Sequence, residues 1–260
     1  MFKQLNTQRV ARFNSAISCT LIDTIQSTDD KLILDKTSKQ SSKTFAPSSF
    51  RCPRRSWFRI RGTEPDVIRT PDRVLDFAAM LGSACHSYIQ NILQQSSEVT
   101  WVDIDTYVSD SGVFSGKEYM ISKDPESSEY RIAIIDPPIK FGCDGMVRIA
   151  DKLFIVEIKS VDFGTWSDLT GPKSEHIPQV NMYGTLLNVP DILFIYIDRQ
   201  YGDIKCYEHH ISSADQDAVN NTISEVLKCV EYQIAPPPLP VQDKWCSENY
   251  CPYSRKCKQF

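Results

Sequence analysis

The sequence predicts an α/β fold, a mixed central β-sheet flanked by helices. Three observations carry this. Two apolar runs within residues 142–160 read as a hairpin. A buried-type strand over 191–198, DILFIYID, follows a helical stretch over 175–187. Two long amphipathic segments, 71–94 and 214–233, supply flanking helices.

The chain has 260 residues, 41% of them apolar and 24% charged, which suits a globular protein. No apolar run approaches the ~20 residues of a membrane span, and the N-terminus lacks a secretory pattern, so a cytoplasmic location is expected (the host-cell cytoplasm if the source is a phage). Nine cysteines in such a chain argue for free thiols or a metal site over a disulfide framework. The net charge of −4 does not announce a nucleic-acid binder, because a whole-chain sum hides any local basic groove.

Taken in order, residues 1–45 are weakly patterned, with a short helix and strand between Leu5 and Ile25. SKQSSKTFAPSS, residues 38–49, reads as a loop or linker. FRCPRRSWFRIRG, residues 50–62, holds Arg51, Arg54, Arg55, Arg59 and Arg61 without an acid, and Trp57 and Phe58 lie among them. Arginines with interleaved aromatics suit phosphate contact and base stacking. Taken alone, the stretch favours a solvated basic helix with two core-facing aromatics.

Residues 71–94 form a helix with Pro71 in its first turn and a stripe through Val74, Ala78, Leu81, Cys85, Tyr88 and Ile92. Gly82 and His86 share one face, and a glycine inside a helix suggests close approach of a neighbour. His86 by itself reads as a packed histidine. Val99–Ile104 reads as a strand, residues 108–130 as a long excursion, and Arg131–Asp136 as a strand.

The hairpin GCDGMVRIADKLFIVEIKS follows. Side chains at i and i+2 of a strand share a face, so Glu157 and Lys159 emerge together. Pairing of the two runs brings Asp144 near Glu157. Buried charges cost several kcal/mol per ion unless paired or bound to metal. The alternative is a plain cross-strand Glu–Lys pair.

A loop over 161–174 leads to the helix of 175–187, where Gln179 and Tyr183 lie four apart on one face. After the strand of 191–198 come a Tyr201-Gly202-Asp203 turn, a strand over 204–211 and the helix of 214–233. Pro236–Pro240 is a stiff strut. The tail, WCSENYCPYSRKCKQF, carries Cys246, Cys251 and Cys257. Zinc, an iron–sulfur cube completed by a distant cysteine, or three reduced thiols all remain open here.

Together these residues resemble the PD-(D/E)xK nuclease superfamily in its RecB-like branch. Asp144 with Glu157-Ile158-Lys159 matches the D…(D/E)xK signature, and Gly142 stands two residues ahead of Asp144. His86 in LGSACH matches the upstream histidine motif, and Gln179 with Tyr183 the QxxxY motif. Cys52 in CPRRSWF with the three tail cysteines resembles the iron–sulfur members: the AddB type, the CRISPR-adaptation exonucleases and the exonuclease V type. The resemblance covers about residues 48–260. It implies an N-terminal extension over 1–47 and a nuclease domain over 48–260, with the cysteine tail at 236–260.

The resemblance implies a restriction-endonuclease-like core with a C-terminal Fe–S-binding tail. Cys52, Cys246, Cys251 and Cys257 are implied ligands of a 4Fe–4S cluster. Asp144, Glu157, His86 and the Ile158 carbonyl are implied ligands of Mg²⁺ or Mn²⁺, and Lys159, Glu157 and Asp144 are the catalytic set. Gln179, Tyr183, Arg54 and Arg55 are implied DNA contacts. The implied activity is a metal-dependent DNA exonuclease in recombination or repair. It acts on single-stranded ends, with 5′→3′ polarity carried over from relatives; duplex ends are the other DNA partner. No helicase motif is present, so a helicase or recombination partner would be another protein, and no membrane is involved. The alternatives are a structure-selective endonuclease and a non-catalytic iron–sulfur or zinc module that binds DNA ends.

Overall fold

The structure is a computed structural model that describes residues 43–67, 72–123, 129–240 and 243–259, with Asp23 and Thr24. The helix and strand expected between Leu5 and Ile25 lie outside these apart from that pair. The chain divides into two units, Met1–Gln40 with Arg69–Ala78, and Ser41–Ile68 with Ala79–Phe260. The second unit holds every strand described.

Two sheets form its core. The larger joins β1 (Thr100–Trp101), β5 (Gly145–Ile149), β6 (Lys152–Val161), β7 (Asp191–Asp198) and β8 (Ile204–His210) in the order β1-β5-β6-β7-β8. Only β6 and β7 pair in parallel; the other pairs are antiparallel, so the sheet is mixed as the sequence predicts. The smaller is an antiparallel meander of β2 (Tyr119–Lys123), β3 (Tyr130–Ile134) and β4 (Ile139–Cys143).

Strand parity sorts β6 onto two cores. Phe154, Val156 and Ile158 join a cluster with Ile195, Ile197 of β7 and Ile89 of the helix α3 (Arg73–Gln95). Ile155 and Val161 face the opposite cluster, with Val180, Met182 and Tyr183 of α6 (Ile177–Leu186). Glu157 and Lys159 share the parity of Ile155 and Val161, so they emerge on the α6 side. The helix α7 (Ser213–Glu231) opens on a capping box between Ser212 and Asp215 and buries Val219, Ile223 and Val226.

Several expectations change. The polar stretch 38–49 is not a linker throughout. Phe45 is fully buried and bridges to Ile139, and α1 (Pro47–Phe50) follows at once. A lone aromatic in a polar run leaves no periodicity to detect. The stripe of α3 does not face a core along its length: Ile89 and Gln90 are its buried residues, whereas Val74, Leu75, Tyr88 and Ile92 are exposed. Its first turns, Arg73–Ala78, belong to the first unit. The strand expected over 99–104 is cut short because Asp103 caps α4 (Ile104–Ser111). The loop expected over 161–174 contains α5 (Phe163–Asp168), capped by Asp162, whose carboxylate accepts from the Thr165 N–H. Both helices are short, so cap chemistry was their only sequence signal.

The basic stretch forms α2 (Pro53–Ile60), with Pro53 in the first turn. Trp57 and Phe58 are buried, so the aromatics serve the core, not base stacking. Arg51 pairs with Asp243, and the chain after the prolines folds back onto this helix. It ends in a 3-10 turn over Lys244–Cys246 and α8 (Ser254–Cys257). Among the described residues no helix is long and apolar enough to cross a membrane.

Candidate active site and cysteine cavity

The backbone pairing of β5 with β6 stops at Gly145 opposite Val156. The Ile158 N–H therefore lies beyond the ladder, and a buried backbone donor needs a partner. Asp144 supplies it: Oδ2 accepts this N–H at 2.7 Å. Its other oxygen, Oδ1, lies 3.1 Å from His86 Nδ1. The Asp144 carbonyl accepts from Gln90 Nε2 at 2.5 Å. One turn of α3, from His86 to Gln90, thus clamps Asp144 from the side chain and the backbone.

Glu157 is 2% exposed. Its Oε1 pairs with Lys159 Nζ and accepts from Gln179 Nε2 at 3.2 Å, and its Oε2 accepts from the Tyr183 hydroxyl. Gln179 and Tyr183 project from one face of α6, as their spacing requires. Gly82 passes close to β6: a Cβ there would lie 3.2 Å from Ser160 Oγ. That is the close approach expected of this glycine, and it seats α3 against the strand that carries Lys159.

The four charges settle each other. Burial works to raise the Asp144 pKa, but the His86 hydrogen bond and charge, Lys159 and the Ile158 N–H outweigh it and hold it below the ordinary aspartate range. Burial raises Glu157, and repulsion from Asp144 adds to that against the pull of Lys159. Burial works to lower Lys159 and His86, and the two carboxylates overcome it, so both are raised. Lys159 thus stays cationic.

His86, Asp144, Glu157, Ile158, Lys159, Gln179 and Tyr183 therefore converge. Sequence reasoning missed two neighbours. Gln90 lies one turn after His86, and that spacing was its signal. Glu129 sits within electrostatic reach of Asp144, His86 and Glu157, and a Cβ at Gly142 would collide with its carboxylate. Nothing in the sequence marks it.

Cys52, Cys246, Cys251 and Cys257 line one cavity of about 650 Å³. They lie within electrostatic reach of one another. Burial pushes the thiols of Cys52, Cys246 and Cys251 up. Three buried polar atoms in its wall have no partner among the described residues: Arg55 Nε, Trp245 Nε1 and Ser254 Oγ. Each can donate. Pro178 and Gln179 also form part of the wall, so Gln179 faces both this cavity and Glu157.

Arg54 braces this cavity. It is 6% exposed, and its guanidinium donates to the carbonyls of Pro236 at 2.6 Å and Cys257 at 3.2 Å. Arg55 remains half-buried, with one donor on the Tyr250 carbonyl at 3.4 Å.

Two carboxylates, an imidazole and a carbonyl suit Mg²⁺ or Mn²⁺. Both oxygens of each carboxylate are engaged by protein groups, which a bound ion would displace. At the cavity, four thiols and three unpaired donors suit a sulfur-rich anionic group, whose sulfurs accept hydrogen bonds.

No protein-family profile matches the chain, and no curated protein matches it. Solved structures that are similar include that of a protein designated SSO0001, at 17% identity and a TM-score of 0.44, covering 88% of this chain and 94% of that one. Another is an alkaline exonuclease, LHK-Exo, from Laribacter hongkongensis, at 13% identity and a TM-score of 0.37, covering 74% and 90%. The complex of LHK-Exo with dAMP matches at 14% identity and a TM-score of 0.36, covering 74% and 89%.

Proposed function

We propose that the protein is a divalent-metal-dependent deoxyribonuclease that degrades DNA from ends, single-stranded ends first and in the 5′→3′ direction, and that its cysteine cavity houses a 4Fe–4S cluster. The observation that carries this is the convergence of buried Asp144 and Glu157 with Lys159 and His86 beside the apolar run Leu153–Val156 of β6. A structural ion pair needs one acid and one base; this site gathers two carboxylates, a lysine and a histidine at one point.

A bound Mg²⁺ or Mn²⁺ would neutralise phosphate charge and lower the pKa of a water. Asp144, Glu157, His86 and the Ile158 carbonyl would hold it. Lys159, kept protonated by both carboxylates, offers donors to a phosphoryl oxygen where charge builds up. Gln179 and Tyr183 fix the Glu157 carboxylate by hydrogen bonds to each oxygen, which holds the acid in place for its ligand role. Arg55, beside the cavity, would contact a backbone phosphate.

The four cysteines would hold the cluster, whose part is structural. The three unpaired donors in the wall suit the sulfurs of such a cluster, which accept hydrogen bonds. Protein purified without oxygen should absorb near ~400 nm and carry about four irons per chain. It should degrade end-labelled single-stranded DNA when Mg²⁺ or Mn²⁺ is added. Stoichiometric zinc in a colourless protein rejects the cluster, and intact DNA rejects the nuclease.

A further inference from the structure

Phe163 and Tyr201 stand exposed, at 43% and 63%, and Phe163 packs on both Tyr201 and Trp166. The Phe163 and Trp166 rings stack at 6.3 Å and 19°, and Tyr201 meets the Phe163 edge at 5.2 Å and 86°. Exposed aromatics normally cost hydration, and here their supports are rigid. Asp198, itself buried, accepts the N–H groups of Gln200 and Tyr201 and fixes the β7–β8 turn. Asp162 caps α5, and Lys205 Nζ donates to three carbonyls at the end of that helix while lying 4.4 Å over the Trp166 ring. The aromatic faces are thus held in place before any ligand arrives, which lowers the cost of binding one.

The position matters as much as the rings. β6 and β7 run parallel, and Val161 pairs with Asp198 where both strands end. In open α/β sheets, ligands bind outside the carboxyl ends of parallel strands. Phe163 follows Lys159 by four residues, so the platform begins within ~13 Å of it along the chain. Arg199, whose N–H donates to the Val161 carbonyl, brings its charge within reach of both Asp162 and Cys85, the neighbour of His86. Aromatic faces beside a guanidinium suit a base with its phosphate.

We propose that Phe163 and Tyr201, backed by Trp166, form a stacking platform for an unpaired base of single-stranded DNA next to the phosphate held at Lys159. This rests on the nuclease reading above and adds the subsite that would select unpaired strands. No sequence preference follows, because every base presents a π-face.

The test uses the full-length protein and a fluorescein-labelled single-stranded oligonucleotide in EDTA, read by anisotropy, so that no hydrolysis intervenes. Phe163→Ala and Tyr201→Ala should each weaken binding about 5- to 100-fold, and Tyr201→Phe should retain it. An abasic site walked along the strand should weaken wild-type binding at one position by a similar factor. At that position it should cost Tyr201→Ala nothing further. Alanine variants binding within about twofold of wild type, or an abasic penalty unchanged in Tyr201→Ala, overturn the platform. Wild type that hydrolyses DNA while the variants bind normally rejects the platform alone. Wild type that binds through the platform but never hydrolyses rejects the nuclease reading alone.

Discussion

Asp144, between β4 and β5, and Glu157 of β6 have their protons held in opposite senses. Asp144 is kept ionised by His86, Lys159 and the Ile158 N–H, whereas burial and Asp144 itself raise Glu157. Asp144→Asn should therefore remove the charge that the others are arranged around. Calorimetric titration with Mn²⁺ should show affinity at least 10-fold weaker than wild type. His176 offers a separate pH test. Its Nδ1 lies 2.8 Å from the Tyr196 hydroxyl, and burial, with Lys159 nearby, lowers its pKa to about 4. Between pH ~6.5 and about 4 the unfolded chain binds a proton there and the folded chain does not, so stability falls as pH drops through that window. The effect is on the order of 3 kcal/mol. Urea titrations at pH 4.5 and 7 should differ less for His176→Gln than for wild type. The Glu157–Lys159 pair was legible in the sequence because strand parity is a local rule. Glu129 was not, because only the folded meander brings it to Asp144.

The helices show how far local pattern reaches. The boundaries of β7 fall where its apolar run begins and ends, and α6 and α7 lie where their patterns place them. In these segments burial and periodicity agree. For α2 they do not. Its arginines suggest a basic surface, but Arg54 is buried by carbonyls contributed from nearly two hundred residues away, which no local pattern reveals. Arg54→Gln should cost about 3 kcal/mol in urea unfolding, since hydrogen bonds from a charged donor to buried acceptors are lost. It should also make the chain after Pro236 more sensitive to protease. If Arg54 instead acted on DNA, the variant would lose DNA affinity with stability intact.

At the scale of the molecule, α2 and the C-terminal tail pack directly on each other. Phe58 stacks on Tyr253 at 5.1 Å, Arg51 pairs with Asp243, and the N–H groups of Asp66 and Val67 donate to the Pro252 carbonyl. A cluster at the four cysteines would lock a closure that packing already favours. Joining chain positions about two hundred residues apart is worth up to ~5 kcal/mol in lost unfolded-state entropy. The double variant Cys246→Ala, Cys257→Ala should lose absorbance near ~400 nm and melt at lower temperature, with the tail cleaved first in limited proteolysis. The order of Cys52 and the tail cysteines suggested this meeting in advance. The three donors left unpaired around the cavity, and the sharing of Gln179 between cavity and carboxylate, needed the fold.

The central claim is that Asp144, Glu157 and Lys159 form a phosphodiester-cleaving site. Its most direct test compares wild type with Lys159→Ala on end-labelled single-stranded DNA in Mn²⁺. Binding is measured in parallel in EDTA. The site predicts that wild type shortens the DNA and that Lys159→Ala cleaves about 10²- to 10³-fold more slowly while binding it comparably. Undiminished cleavage by Lys159→Ala, or none by wild type, would contradict it.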